Sequence, residues 1–283
     1  MEVLAPGVGR VSLRSPTLPP ATHTGCYLIG EESLTAFDPA SPWEDERGRL
    51  LQELREDGRP VERIVLTHHH VDHVSGAVAL QAALAEQGQH VPIAAHPVTA
   101  ELLAGQVAVQ EHLLDDQDLR CGGLELRCVH TPGHAPGHLV FHEPRSGMVV
   151  AGDMVAGEGT ILLLPGEGEL GAYLDSLERM RSLGARALLP SHGPVLEQAD
   201  QVLVHYLAHR HQRTRQVVEA LRSTGRADPF SLVARVYPEL SPSAHGIAAL
   251  QIAAHLLWLG GQGVAEAHED GSWTLREPVR RSG

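Results

Sequence analysis

The chain opens on an alternation of short apolar runs and longer amphipathic ones. Segments 25–30 and 33–38 read as two strands joined by a tight turn. Segment 43–57 is charged but places Leu50, Leu51 and Leu54 at helical spacing. The β-branched run 63–67 predicts a buried strand. The Ala- and Leu-rich stretch 74–87 predicts a helix ended by Gly88, and 91–95 another strand. Strands follow at 124–129, 138–142 and 148–151, divided by Pro and Gly. A helix over 170–183 puts Leu170, Tyr173, Leu174 and Leu177 on one face, and 187–190 is a last short strand. Hairpins mixed with strand–helix alternation predict an α+β fold of two mixed sheets covered by helices.

The pattern changes near residue 200. Helices are expected over 200–223, 230–237 and 244–259, then strands 264–267 and 273–275 about an Asp270-Gly271 turn. Three helices followed by a hairpin make a winged-helix pattern, with Trp258 in its core. The chain therefore divides into a larger domain, 1–199, and a small winged-helix-like C-terminal domain, 200–283.

Composition narrows the class. Of 283 residues, 42% are apolar and 20% charged, which excludes a disordered chain. No window reaches the ~18–20 apolar residues of a membrane span. The first residues lack the basic start and apolar core of a signal peptide, so the cytoplasm is the expected location. Cys26, Cys121 and Cys128 make no disulfide framework, and Cys121 and Cys128 are expected to be buried thiols. The net charge is −13, and all 22 basic residues are Arg. Residues 1–199 hold 13 Arg against 27 Asp and Glu, a net of −14, and residues 200–283 hold 9 against 8, a net of +1. An acidic chain with 19 His suggests neutral imidazoles used as ligands rather than a surface for polyanions.

Those imidazoles are concentrated. Thr67-His68-His69-His70-Val71-Asp72-His73 follows a buried strand and precedes a helix, so its side chains can be held at fixed distances. His68 and His70 are two apart and can point the same way from an extended segment. Three later segments put a ligand-type residue beside Gly or Pro at a strand end: Thr131-Pro132-Gly133-His134, Ala151-Gly152-Asp153 and Ser191-His192-Gly193. Together these supply five His and two Asp. Seven N and O donors suit two borderline divalent ions, zinc first, with Mn or Fe possible. No Cys adjoins these segments, which argues against a closed structural zinc site.

On these motifs the chain resembles the metallo-β-lactamase-fold hydrolases. The resemblance implies an αββα sandwich in which His68, His70 and His134 bind one metal. Asp72, His73 and His192 would bind a second, and Asp153 would bridge both. Asp72 would also orient a hydroxide shared by the ions, the attacking group of a hydrolase. A closer resemblance is to the β-lactamase-like-protein-2 family, almost end to end. It rests on segment 152–160 from Gly152-Asp153 to Gly159-Thr160, on Ser191-His192-Gly193-Pro194-Val195, and on Tyr206-Leu207-Ala208-His209-Arg210 with Arg213. That family includes single-stranded-RNA endonucleases, and related chains are thioesterases. The chain departs from it at His69 (usually Trp), at Cys26 (usually Asn) and at Asp38-Pro39-Ala40 (usually Asp-Thr-Gly). His69 is expected to face away from His68 and His70.

Two substrates stay open: single-stranded RNA and a small acyl thioester. Arg210 and Arg213 are candidate RNA contacts, opposed by the −14 catalytic domain. Tyr173 is a candidate substrate contact, with core packing as its alternative. A glyoxalase-II-like glutathione thioesterase is similar at the metal motifs, but that group uses Lys, which this chain lacks. A winged-helix regulator of double-stranded DNA is disfavoured, because segment 244–259 carries no Arg.

Overall fold

The structure, a computed structural model, describes residues 1–276; positions 277–283 of the expected C-terminal domain lie outside the described residues. Seven strands from Glu2–Ala5 to Glu111–His112 form one sheet in chain order. Its first four strands pair antiparallel, and from Leu34–Phe37 onward neighbours are parallel. Six strands from Asp118–Cys121 to Leu196–Glu197 form the second sheet, also in chain order. There only Met148–Gly152 and Ala187–Pro190 run parallel.

The sheets face each other because their strands are apolar on the inner side. Tyr27, Phe37, Val65 and Ala94 of the first meet Leu126, Leu139, Phe141 and Leu189 of the second. Phe37 and Phe141 pack edge to face, ring centres 4.9 Å apart. Helices cover both outer faces: Leu50, Leu54, Leu80 and Leu84 on the first sheet, Leu170, Leu174 and Leu177 on the second. The order helix, sheet, sheet, helix is the αββα sandwich expected.

The helix Ala199–Thr224 belongs to two cores. Leu203 and Leu207 pack on the second sheet's outer layer, and Val217, Ala220 and Leu221 pack with Ile252, Leu256 and Trp273 of the C-terminal unit. That unit adds the helices Val233–Val236 and His245–Gly261 and a three-stranded sheet. Trp258 touches both cores.

Several expectations change. Strands Glu2–Ala5, Val8–Arg14 and Asp118–Cys121 were not anticipated. The helix expected over 74–87 is two, Val71–Val74 and Ala77–Glu86. Between them Gly76 lies against backbone, where a Cβ would fall 2.0 Å from the Pro39 carbonyl oxygen. The helix expected over 230–237 shortens to Val233–Val236, because the Asp228 carboxylate accepts the N–H groups of Phe230 and Ser231 in a turn. All three cysteines are buried free thiols. Burial pushes Cys121 up to about 11 and Cys128 up to about 12. No described helix is long and apolar enough to cross a membrane.

Candidate metal centre

Four strand ends deliver the site. Val61–Val65 runs into Thr67, whose N–H and Oγ–H both donate to Asp38 at 2.8 and 2.7 Å. That double contact fixes the backbone from which His68, His70, Asp72 and His73 project. His134 follows Leu124–His130, Asp153 follows Met148–Gly152, and His192 follows Ala187–Pro190. The two intervening glycines are sterically required. At Gly133 (φ 129°) a Cβ would sit 2.3 Å from the Tyr173 backbone, and at Gly152 (φ 50°) 2.4 Å from His138 Nε2.

The structure brings all seven anticipated residues together. His70 Nδ1 lies 2.9 Å from both His68 Nε2 and His134 Nε2, one cluster of three donors. Asp72, His73 and His192 form a second. Asp153 stands between them: Oδ2 is 3.5 Å from His134 Nε2, and Oδ1 is 3.5 Å from both His73 Nε2 and His192 Nε2.

Each ring is held by its other nitrogen. His68 Nδ1 meets Thr67 Oγ1 at 2.9 Å, His73 Nδ1 meets Asp38 at 2.9 Å, His134 Nδ1 donates to Leu162 O at 2.9 Å, and His192 Nδ1 donates to His23 O at 3.0 Å. These four present Nε2 to the centre. His70 is reversed: its Nδ1 faces the cluster and its Nε2 lies 3.3 Å from Glu167 Oε1.

The electrostatics divide the same way. Burial, then the neighbouring imidazoles, hold His68 well below the ordinary histidine range, and burial with His134 brings His70 to about 4. Both are neutral and can bind a cation. Burial also opposes charge on His192, but Asp153 and Asp72 outweigh it and raise that ring to about 10. His73 is raised for the same reason, and Asp153, despite burial, is held well below the carboxylate range by His73 and His192. Protons here stand where cations would balance the carboxylates. The fit to metal rests on His73 Nε2 and Asp153 Oδ1, which are buried without a hydrogen-bond partner among the described residues. A cation between these converging N and O donors satisfies both.

The comparisons with known proteins agree with this geometry. Residues 20–192 match the metallo-beta-lactamase superfamily. The chain belongs to that superfamily. Residues 229–273 match the beta-lactamase associated winged helix domain. Relatives of this superfamily member include the beta-lactamase-like protein 2 homolog of Drosophila melanogaster, 28% identical over 85% of this chain and 83% of that one. Another is an atrochrysone carboxyl ACP thioesterase of Aspergillus fumigatus, 29% identical over 80% of this chain and 68% of that one. A beta-lactamase domain protein from Burkholderia ambifaria shares the fold with a TM-score of 0.82, 24% identity, and coverage of 97% and 93%. A metallo-beta-lactamase family protein from Thermus thermophilus does so with a TM-score of 0.78, 24% identity, and coverage of 97% and 100%. Fold, family and relatives make this protein a metal-dependent hydrolase.

The other anticipated residues fall elsewhere. Tyr173 does not line the cavity: it is wholly buried and donates its hydroxyl to Met154 O at 2.8 Å, so it braces the loop after Asp153. Arg210 and Arg213 do reach the cavity wall, and each spends one donor on a backbone carbonyl. Arg210 donates to Ile161 O at 2.6 Å and sits 5.0 Å over the Tyr173 ring. Arg213 donates to Val236 O at 2.7 Å and sits 3.9 Å over Tyr237. His69 is not turned away from His70: its Nε2 meets the same Glu167 oxygen. Sequence reasoning missed Asp38, Glu167 and His138, whose Nε2 accepts the Asp153 N–H at 3.1 Å. Each is a single polar residue whose partner is distant in the chain.

Proposed function

We propose that this protein uses two divalent ions, zinc first with Mn or Fe as alternatives, to hydrolyse a small acyl thioester. The observation that carries the reading is a cavity of about 690 Å³ opening on His70, Asp72, His134, Asp153 and His192. Away from the cluster its wall is largely apolar, with Leu18, Ile161, Leu162, Leu164, Leu240 and Ile247 among the lining residues. Such a wall suits an acyl chain. The relative named as an ACP thioesterase supports the same substrate class.

His68, His70 and His134 would hold one ion, Asp72, His73 and His192 the other, and Asp153 would face both. Such ions supply Lewis acidity and lower the pKa of water towards ~7. Burial pushes the Asp72 carboxyl up, but His73 and His192 outweigh it and keep the group ionised. Its oxygen Oδ2, 3.4 Å from His192 Nε2, can therefore accept a proton from an attacking water and aim its lone pair at the acyl carbonyl. The N-terminal loop and the C-terminal domain close the cavity's sides and limit bulk water. Cleavage gives a carboxylic acid and a thiol.

Single-stranded RNA finds less support. Arg210 is 5% exposed, and Arg210 and Arg213 each spend one donor on a backbone carbonyl, which restrains both side chains and leaves little of Arg210 open to a phosphate. The test is a side-by-side assay of zinc-loaded protein on acyl N-acetylcysteamine thioesters, single-stranded RNA and a β-lactam. Thioester turnover that varies little with salt is expected. RNA cleavage without thioester turnover, with binding falling at a slope of about −0.7 per phosphate contact, would overturn the reading.

A further inference from the structure

The irregular segment 161–169 holds two of the three histidines of the first cluster from behind. Leu162 O accepts from His134 Nδ1 at 2.9 Å. Glu167 takes His69 Nε2 and lies 3.3 Å from His70 Nε2, and Glu169 N–H donates to Gly133 O at 2.8 Å, beside His134. The same segment is gripped on its other side by the C-terminal part of the chain. The Gln251 amide makes two bonds to one residue: Oε1 accepts from Leu163 N at 3.1 Å and Nε2 donates to Leu163 O at 3.2 Å. Arg210 donates to Ile161 O. Gln251 and Arg210 are 7% and 5% exposed, so these bonds compete little with water.

We propose that the C-terminal domain sets the His68–His70–His134 site through this segment, with Gln251 and Arg210 as positioning residues and Glu167 as the last link. The inference rests on the metal-dependent reading above. The physical reason lies in the rings. A histidine binds a cation through a nitrogen without a proton, so whatever accepts the proton on the other nitrogen selects the tautomer and the ring plane. For His68, His73 and His192 that contact comes from Thr67, Asp38 and His23 O. For His134 it comes from Leu162, and behind His70 Nε2 stands the Glu167 carboxylate 3.3 Å away, both in a coil segment with no helix or strand of its own. Gln251 and Arg210 supply the rigidity that this segment lacks. The helix His245–Gly261 thereby acts on a site to which it contributes no member of the donor clusters.

The experiment measures zinc affinity of the full chain by competition with a chromophoric chelator, and records the visible spectrum after cobalt substitution. The variants are Gln251→Leu, the near-isosteric Gln251→Glu (which loses the amide donor but keeps an acceptor), Glu167→Ala and Glu167→Gln. Circular dichroism and melting of the zinc-free proteins establish that each is folded. Glu167→Ala is expected to weaken zinc by about 10- to 100-fold, the range for loss of a carboxylate behind a ligand histidine. Glu167→Gln, whose carbonyl still accepts, should recover part of that loss. Either Gln251 variant should weaken zinc several-fold and shift the cobalt bands. Combined with Glu167→Ala, the loss should fall short of the product of the single effects, because both act through one segment. Folded Gln251 variants with wild-type affinity and cobalt spectrum would overturn the inference and leave the metal-dependent reading standing. A wild-type chain that binds neither zinc nor Mn nor Fe would overturn both.

Discussion

At the scale of single residues, the cluster histidines are orientation devices as much as donors: four have Nδ1 hydrogen-bonded and Nε2 directed inward, and His70 turns Nδ1 inward with Glu167 3.3 Å behind Nε2. Asp153 is the residue whose loss has the widest effect, because its two oxygens face both clusters. Asp153→Ala should retain the fold, lose most bound metal and lose turnover; elemental analysis beside an activity assay checks this, and near-normal metal content would contradict it. Gly152→Ala tests the backbone beneath it. A methyl there meets His138 Nε2 at 2.4 Å in a left-handed conformation. The expected cost is about 1–3 kcal/mol, read by chemical denaturation. The seven clustered residues were legible because each stands just after a strand or at the start of the helix that follows one, beside Gly, Pro or another ligand type. Glu167 was not, since nothing in its neighbourhood of the sequence says that it folds back onto His69 and His70.

At the scale of elements, periodicity worked best where one face is buried over several turns. The helices Glu44–Asp57, Leu170–Ser182 and Ala199–Thr224 begin and end within a residue or two of expectation. It failed where tertiary contact overrides local preference, as at Gly76, and where a strand such as Glu2–Ala5 is mostly exposed and carries little pattern. The packing of Ala199–Thr224 on His245–Gly261 has a pH consequence. His255, 1% exposed, meets Thr214 Oγ1 at 2.8 Å through Nδ1. Burial, reinforced by Arg210 and Arg213, lowers it to about 3. The unfolded chain then binds this proton from about pH 6.5 downward while the folded chain refuses it. Stability should therefore fall as pH drops from about 6.5 towards 3, by at most about 1.4 kcal/mol per unit from this group. His255→Gln should flatten that dependence; melting temperatures at pH 7.5 and 4.5 for both proteins decide it, and parallel shifts would refute it.

At the scale of the molecule, charge and cavity act in the same direction. On the proposed reading, a net of −14 over residues 1–199 would repel polyanions, while the largely apolar wall, despite Arg210 and Arg213 in it, would accept an uncharged chain. Raising salt from 50 to 200 mM should change kcat/KM on a neutral thioester by less than about twofold, far below the 10³–10⁵ seen for binding through many phosphate contacts. A loss on that larger scale would return RNA to the front. The start of the long helix Ala199–Thr224 was legible from the change in pattern near residue 200. The sharing of one helix between both cores was not, because amphipathicity shows that a face is buried but not against what.

That shared helix has a mechanical consequence. Its first half is core to the sandwich and its second half core to the C-terminal unit, with no flexible joint between Leu207 and Val217. Melting either end removes a wall from the other, so the chain should unfold in a single calorimetric transition. Proteases should find no cut that releases two stable fragments. A truncation after residue 199 would strip the sandwich of Leu203 and Leu207, leave an apolar scar on its outer face, and yield an aggregating fragment rather than a minimal enzyme.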